Sequence, residues 1–186
     1  MLLGNLDHPG GGLIPLRTQN NSQGASDMGG LPGVLPGYQS GAEESSRQKF
    51  EQAWGVRLPD SPGLSASKMI SAIREGSLKG LYIVGEDLVS GAPNSPSIRD
   101  ALHSCELVIL QEALISETSH YADIHLPGTS FAEKTGTFTN NERRVQMVNQ
   151  AIKPIAGSKP DWVILKEVAS RIKPATADAD GKFIRW

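Results

Sequence analysis

Cysteine, aromatic residues, net charge and long apolar runs are all scarce in this sequence of 186 residues. The single cysteine, Cys105, cannot form a disulfide within the chain and cannot supply the four thiolates of an iron–sulfur cluster. The formal charge of −2 gives no basic surface for nucleic acid or an anionic membrane. No stretch approaches the ~20 apolar residues of a membrane span, and the first residues lack a signal-peptide pattern. We therefore expect a cytoplasmic protein with no nucleic-acid partner and no direct membrane contact.

Glycine is concentrated near the start of the chain, where residues 1–41 hold 10 of the 20 glycines and only three charged side chains. This composition argues against a helix, yet its low charge is not typical of a disordered segment. We predict an ordered, irregular segment that lies against a polar ligand or another chain. Arg17 is the only Lys or Arg among the first 46 residues. Its guanidinium either stabilises loop carbonyls or binds a small carboxylate.

Residues 42–172 alternate between helical and strand-like patterns. Helical periodicity predicts helices over 43–54, over 65–75 and from Ser95, a helical turn over 116–121, and a last helix opening at 158–161. That last helix is expected to bury four apolar side chains, Trp162, Leu165, Ala169 and Ile172. Apolar runs at 81–84 and 107–110, and a weaker one at 124–126, predict strands; the first two should be buried on both faces. Residues 135–148 read as irregular or extended, and the tail 173–186 as loose.

This order of elements predicts an α/β fold, with three layers (αβα) around a small, mostly parallel sheet, preceded by the glycine-rich segment. In such a sheet a ligand lies beyond the carboxyl ends of the strands. Those ends are polar here, at 85–87, 111–112 and 127–130. An acidic side chain at such a position can accept hydrogen bonds from ribose or from guanine. It can equally cap the turn that follows, and spacing alone does not separate the two.

Other features are weaker signals of chemistry. The dinucleotide and P-loop glycine fingerprints are absent. The glycines at 10–12 favour a turn over a phosphate cradle. His120, Asp123 and His125 lack a properly spaced third ligand, so no metal site is predicted within the chain. Cys105 reads as a small core residue.

Several passages resemble the catalytic subunit of molybdenum or tungsten formate dehydrogenases. They are residues 15–29, 35–38, 85–87 and 111–112. Residues 116–133 resemble the signature of prokaryotic molybdopterin oxidoreductases, and 136–140 with 142–146 complete it. The resemblance covers residues 1–172.

The resemblance implies an enzyme that binds two molybdopterin guanine dinucleotides around one molybdenum or tungsten and oxidises formate to carbon dioxide. Arg17 is the implied catalytic residue, which orients formate. The implied cofactor-binding residues are Gln19, Gln23, Gly24, Gly85, Asp87, Gln111 and Asp123. Of these, Asp87, Gln111 and Asp123 are expected to line the guanine dinucleotide at the carboxyl edge of the sheet. Residues 1–41 would face cofactor and substrate, and residues 42–172 would form the guanine-dinucleotide domain.

The same resemblance places several parts of the enzyme outside this chain. They are the iron–sulfur ligands, the remainder of the catalytic subunit, and the iron–sulfur or NAD-linked electron-transfer subunits. Thr18, Ser26, Leu88 and His125 depart from the usual family residues. We expect an internal piece of such a subunit or a split-gene product, inactive alone. Two other hypotheses stay open: a non-catalytic scaffold subunit of a respiratory NADH dehydrogenase, and a family member with another substrate, such as nitrate.

Overall fold

The computed structural model describes residues 4, 6, 8–13, 15–17 and 19–172. The expectations for Thr18 and for the tail 173–186 fall outside these residues. None of the helices in the described residues has the length and apolarity required to cross a membrane.

The glycine-rich segment is more regular than its composition predicts. A short helix, α1 (Ser22–Asp27), precedes two strands, β1 (Val34–Leu35) and β2 (Gln39–Ser40), which pair antiparallel. The expectation that this composition excludes a helix was wrong, because most glycines and all prolines flank the six helical residues and do not interrupt them. The turn between β1 and β2 uses Gly37 at φ 78°, where an L side chain would be strained.

Two predicted helices follow. They are α2 (Glu44–Trp54) and α3 (Ala66–Arg74), and each lies within a residue or two of its expected bounds. Gly55 directly after α2 and Gly76 shortly after α3 have φ of 69° and 73°, so both helices end in the left-handed region that glycine favours.

A parallel sheet forms the centre of the chain, as predicted. Its first two strands are β3 (Gly80–Val84) and β4 (Leu107–Glu112), joined by the short helix α4 (Leu88–Gly91) and by α5 (Ser95–Ser104). A 3-10 helix (Glu117–Tyr121) leads to β5 (Ile124–Pro127), and β4 lies between β3 and β5. Gln111 pairs with Val84 on one side and Leu126 on the other, so all three strands end at one edge.

The core lies on one face of the sheet, beneath α3, α4 and α5. Its buried members are Ile83, Val89, Ile98, Leu102, Val108 and Leu110. The strands are less buried than predicted: Val84 is 42% exposed and Leu107 is 41% exposed. Each directly neighbours a core residue in its strand, Ile83 or Val108, and so points to the opposite face of the sheet.

A hairpin and a last helix complete the described chain. Residues 135–148 contain the antiparallel strands β6 (Gly136–Thr139) and β7 (Val145–Val148), preceded by a 3-10 turn (Phe131–Glu133). The last helix is α6 (Asp161–Arg171). It begins against Gln111, on the sheet face opposite the core, so helices lie on both sides of the sheet. The αβα arrangement is therefore confirmed.

The predicted buried face of α6 was wrong. Trp162, Leu165 and Ile172 are 65%, 44% and 64% exposed, and Ala169 is exposed as well. Ile164, at 7% exposure, is the buried residue of the helix. Hydrogen bonds and an ion pair at Asp161 fix the first turn and so decide which side of the helix faces the sheet. Helical periodicity identifies apolar residues that lie on one face of a helix, but it does not show whether that face or another is covered by the sheet.

Candidate functional site

A cleft between the glycine-rich segment and the β6–β7 hairpin is lined in part by Arg17, the predicted substrate-binding residue. Its volume is about 250 Å³. The residues that line it are Leu13, Pro15, Arg17, Gln19, Asn20, Ser22, Gln23, Thr139, Asn141 and Arg143. The structure thus brings together three residues that the sequence singled out, Arg17, Gln19 and Gln23. The wall combines two guanidinium groups with several amides and carries no carboxylate, which suits a small anion.

One side chain attaches the two walls of the cleft to each other. Oδ1 of Asn21 accepts a hydrogen bond from the backbone N–H of Thr139, at 2.9 Å, across 118 positions of sequence. Gly24 makes this contact possible, because a Cβ at that position would overlap Oδ1 of Asn21. The structure therefore gives Gly24, predicted as a cofactor residue, a packing reason to lack a side chain.

Gln23 has one end fixed within its own helix. Its Nε2 donates to Oδ1 of Asp27 at 2.8 Å. This bond uses one of the two N–H groups of the amide, so the second N–H and the carbonyl oxygen are the groups left for a ligand in the cleft.

Gly85 and Asp87 lie at the carboxyl end of β3, as predicted. Gly85 has φ 64° and nothing within 4 Å of an added Cβ, so its backbone is open to approach. Oδ1 of Asp87 accepts from Oγ1 of Thr118 at 2.6 Å, from N–H of Thr118 at 3.2 Å and from N–H of Ser90 at 3.3 Å. Burial alone would raise the pKa of Asp87, but these hydrogen bonds outweigh it and lower the pKa from 3.8 to about 2. The carboxylate is therefore charged, and Oδ1 caps α4.

Gln111 is fully buried, and its amide is engaged within the protein. Its Oε1 accepts from the Tyr82 hydroxyl at 2.7 Å, and its Nε2 donates to Oδ1 of Asp161 at 2.9 Å. The other oxygen of Asp161 pairs with Nζ of Lys134. Burial, and next the Asp161 charge, raise the pKa of Tyr82. This chain of contacts anchors α6 to the sheet, and it occupies the groups with which Gln111 would bind a nucleotide.

The expectation that Asp123 lies at the carboxyl edge was wrong. Asp123 directly precedes β5 and lies beside Val108, near the amino end of β4. Its Oδ2 accepts from the N–H of Val108 at 2.7 Å, and its own N–H donates to the Val108 carbonyl at 2.9 Å. An aspartate that comes before a parallel strand cannot share the edge at which the strand ends.

The carboxyl end of β5 instead presents Thr129. This residue is 4% exposed, and its Oγ1 has no hydrogen-bond partner among the described residues. A buried hydroxyl without a partner is costly, so the atom is a candidate to bind a group outside the described chain. Sequence reasoning placed 127–130 at this edge but did not single out Thr129, since a threonine after a strand is not itself a signal.

The cleft and the carboxyl edge are two separate places. The residues that line the cleft include none of Gly85, Asp87, Gln111 and Thr129. Arg143 also lines the cleft, and sequence reasoning did not single it out as a site residue. Its signal was present in the adjacent arginines of the β6–β7 turn, but only the fold brings that turn opposite Arg17. In the part of the chain that the structure describes, no three His, Cys, Asp or Glu side chains gather as metal ligands.

Comparison with known proteins adds family evidence to this geometry. Residues 1–171 match the family model described as "Molybdopterin oxidoreductase". Among curated proteins of Bacillus subtilis (strain 168), "Putative formate dehydrogenase YrhE" is 48% identical over 169 residues, and "Probable oxidoreductase YjgC" is 42% identical over 172 residues. The matches cover 91% and 92% of this chain but 17% and 18% of those relatives. The chain therefore spans less than a fifth of their length.

The fold is similar to that of a solved structure. Acetylene hydratase from Pelobacter acetylenicus matches with a TM-score of 0.53 and 19% identity, over 67% of this chain and 18% of that one. At this identity the likeness concerns the fold alone.

Proposed function

The chain belongs to the molybdopterin oxidoreductase family, and we propose on that premise that it is part of a formate dehydrogenase that oxidises formate to carbon dioxide. The observation that carries the proposal is the position of Arg17 in a cleft lined by amides and a second arginine, without a carboxylate. The relative named as a formate dehydrogenase, at 48% identity, supports the choice of substrate.

Arg17 binds the substrate in this proposal. A guanidinium presents parallel N–H donors that match the two oxygens of a carboxylate, so formate bound to it has a fixed orientation. Gln19 and Gln23 line the same wall and complete the polar surroundings. With its oxygens held, formate presents its C–H bond in one direction, and this positioning is the contribution of the chain to rate. When bound, the molybdopterin-held metal supplies the two-electron acceptor.

The residues at the carboxyl edge fit a guanine dinucleotide in part. Asp87 is charged, and only its Oδ1 is used by the hydrogen bonds of the described residues, which leaves Oδ2 for donors such as guanine N1–H and N2–H. Gly85 offers open backbone, and Oγ1 of Thr129 lacks a partner among the described residues. These three would hold the nucleotide part of the cofactor. Gln19 and Gln23 line the cleft, and Gly24 follows Gln23 in α1; we propose that the pterin contacts lie at these residues.

The whole enzyme needs more than this chain. Iron–sulfur and NAD-linked electron-transfer subunits, and the remainder of the catalytic subunit, are its proposed partners. The short share of the relatives that this chain spans supports this view, as do the exposed side chains Trp162, Leu165 and Ile172 of α6. An exposed apolar stripe of this kind marks a surface that another part of a protein covers.

The test is Arg17→Ala in the full-length enzyme that contains this chain, with Arg57→Ala as the control, since Arg57 is an exposed arginine outside the cleft. Loss of a bidentate carboxylate contact predicts a fall in formate turnover of about 100-fold or more, with metal content unchanged. Formate kinetics equal to those of the Arg57 control would remove the substrate role of Arg17.

One observation favours a second candidate function. Gln111 and Asp123 are engaged within the fold, as a scaffold subunit of a respiratory NADH dehydrogenase would allow. The measurement that separates the two is pterin released from the purified full-length protein. About two equivalents of guanine dinucleotide support the formate dehydrogenase, whereas a protein free of pterin supports the scaffold.

A further inference from the structure

We propose that Arg143 is a second anion-binding residue, which captures the carboxylate substrate together with Arg17 and thereby restricts the cleft to small anions. This inference deepens the proposed function and rests on it. Arg143 belongs to the turn between β6 and β7, and it lines the same cleft as Arg17.

The β6–β7 turn holds Arg143 in a defined position. Arg143 has φ 60°, and its N–H donates to the carbonyl of Asn140 at 3.0 Å. Oδ1 of Asn140 accepts from the N–H groups of Glu142 and Arg144, both at 3.0 Å. Because the side chain of Asn140 closes the turn from inside, the conformation at Arg143 is fixed by local bonds and does not require a ligand.

The adjacent arginine differs from Arg143 in both contact and direction. The guanidinium of Arg144 pairs with Glu142 at 3.6 Å, and Arg144 does not line the cleft. No ion pair to a carboxylate of the described residues is found for Arg143 or for Arg17. Two arginines without such a partner therefore line one space of about 250 Å³.

Two like charges in one cleft favour a bound anion. Two guanidinium groups in one cleft repel each other, and an anion between them replaces that repulsion with two attractive contacts. The space is several times the ~30 Å³ that one water molecule occupies, so it holds a small carboxylate with a few waters. Leu13 and Pro15 form an apolar part of the wall, which offers nothing to a second charged group on the ligand. The chemistry favours a small anion, and formate is one.

The experiment compares three variants of the full-length enzyme: Arg143→Asn, Arg143→Lys and Arg144→Asn. Among uncharged residues other than glycine, asparagine tolerates positive φ best, so Arg143→Asn removes the charge with little change to the turn. Lysine keeps the charge without the planar fork. Arg144→Asn removes a charge of equal sign one residue away, and so controls for the general field of the protein.

The readouts are KM and kcat for formate, and the Kd of formate from calorimetric titration. We expect Arg143→Asn to raise KM and Kd by about 10- to 100-fold with kcat within about 2-fold, Arg143→Lys to recover part of the loss, and Arg144→Asn to change little. Unchanged KM and Kd in Arg143→Asn would overturn the inference, as would a fall in kcat alone or an equal effect of Arg144→Asn. If Arg17→Ala abolishes turnover while Arg143→Asn behaves like the unsubstituted enzyme, this inference fails and the proposed function stands. If Arg143→Asn weakens formate binding while Arg17→Ala has normal turnover, Arg17 has no substrate role in the proposed function.

Discussion

Replacing Asp87 with alanine removes the acceptor of three hydrogen bonds at once. The N–H of Ser90 at the start of α4 loses its cap, and the N–H and Oγ1 of Thr118 lose their shared partner. Thr118 is fully buried, so water does not replace Asp87 for its hydroxyl. A lost cap costs about 1 kcal/mol, and an unsatisfied buried donor costs about 1–3 kcal/mol. We therefore expect Asp87→Ala to lower the free energy of unfolding of this chain by about 2–4 kcal/mol.

Asp87→Asn separates capping from cofactor binding. Asparagine keeps an oxygen that can accept the same three hydrogen bonds, so the loss in unfolding free energy should be about 1 kcal/mol. It replaces the second oxygen with a donor, which cannot accept from guanine. Urea unfolding gives the stabilities, and pterin content of the full-length enzyme gives the binding. Near-normal stability with reduced guanine dinucleotide supports both roles of the side chain, whereas full cofactor content in Asp87→Asn would leave capping alone.

The same hydrogen bonds to Asp87 make the free energy of unfolding depend on pH. The folded-state pKa of Asp87, about 2, lies below its ordinary value of 3.8. A carboxyl with a lowered folded pKa contributes stability above its unfolded pKa, and this stability is lost as the pH falls from about 4 towards 2. At 1.36 kcal/mol per pH unit the shift corresponds to about 2.5 kcal/mol, and solvent screening at this partly exposed residue reduces it to about 1 kcal/mol. Asp87→Ala should flatten the stability curve over that acid range, and an unchanged slope would refute the assignment.

Two further predictions follow from packing. Gly24→Ala should displace Asn21 from its hydrogen bond with the hairpin and raise KM for formate at least several-fold, whereas Gly12→Ala, where an added Cβ meets nothing within 4 Å, should leave KM unchanged. Equal KM values in the two variants would show that the bond does not shape the cleft. Gln111→Leu should lower the unfolding free energy by about 1–3 kcal/mol in urea titrations, because the Tyr82 hydroxyl loses its buried partner. A stability equal to that of the unsubstituted chain would contradict this role.

The sequence predicted the elements of this fold better than their contacts. The parallel sheet followed from apolar runs bounded by glycine, and the helix ends at Gly55 and Gly76 from glycine itself. Both signals are local, and they belong to the residues that form the element. The covered face of α6 depended on contacts with distant residues, such as the bond between Gln111 and Asp161, which no local pattern contains.

The candidate site shows the same difference between residues that are close in sequence and residues that depend on distant contacts. This difference indicates which residues to test first. Arg17, Gln19 and Gln23 are close in sequence, so one short segment that leads into α1 brings them to one wall. The opposite wall belongs to a hairpin far away in sequence, which the hydrogen bond between Asn21 and Thr139 joins to this segment, and Arg143 lies in the turn of that hairpin. A polar side chain near a strand end also has two possible partners, the protein itself or a ligand. Gln111 is fully buried, and both groups of its amide are bonded within the protein. Asp87 keeps one oxygen that the described residues do not use, and this oxygen is free to accept from a ligand. The Asp87→Asn variant measures what that second oxygen contributes to ligand binding.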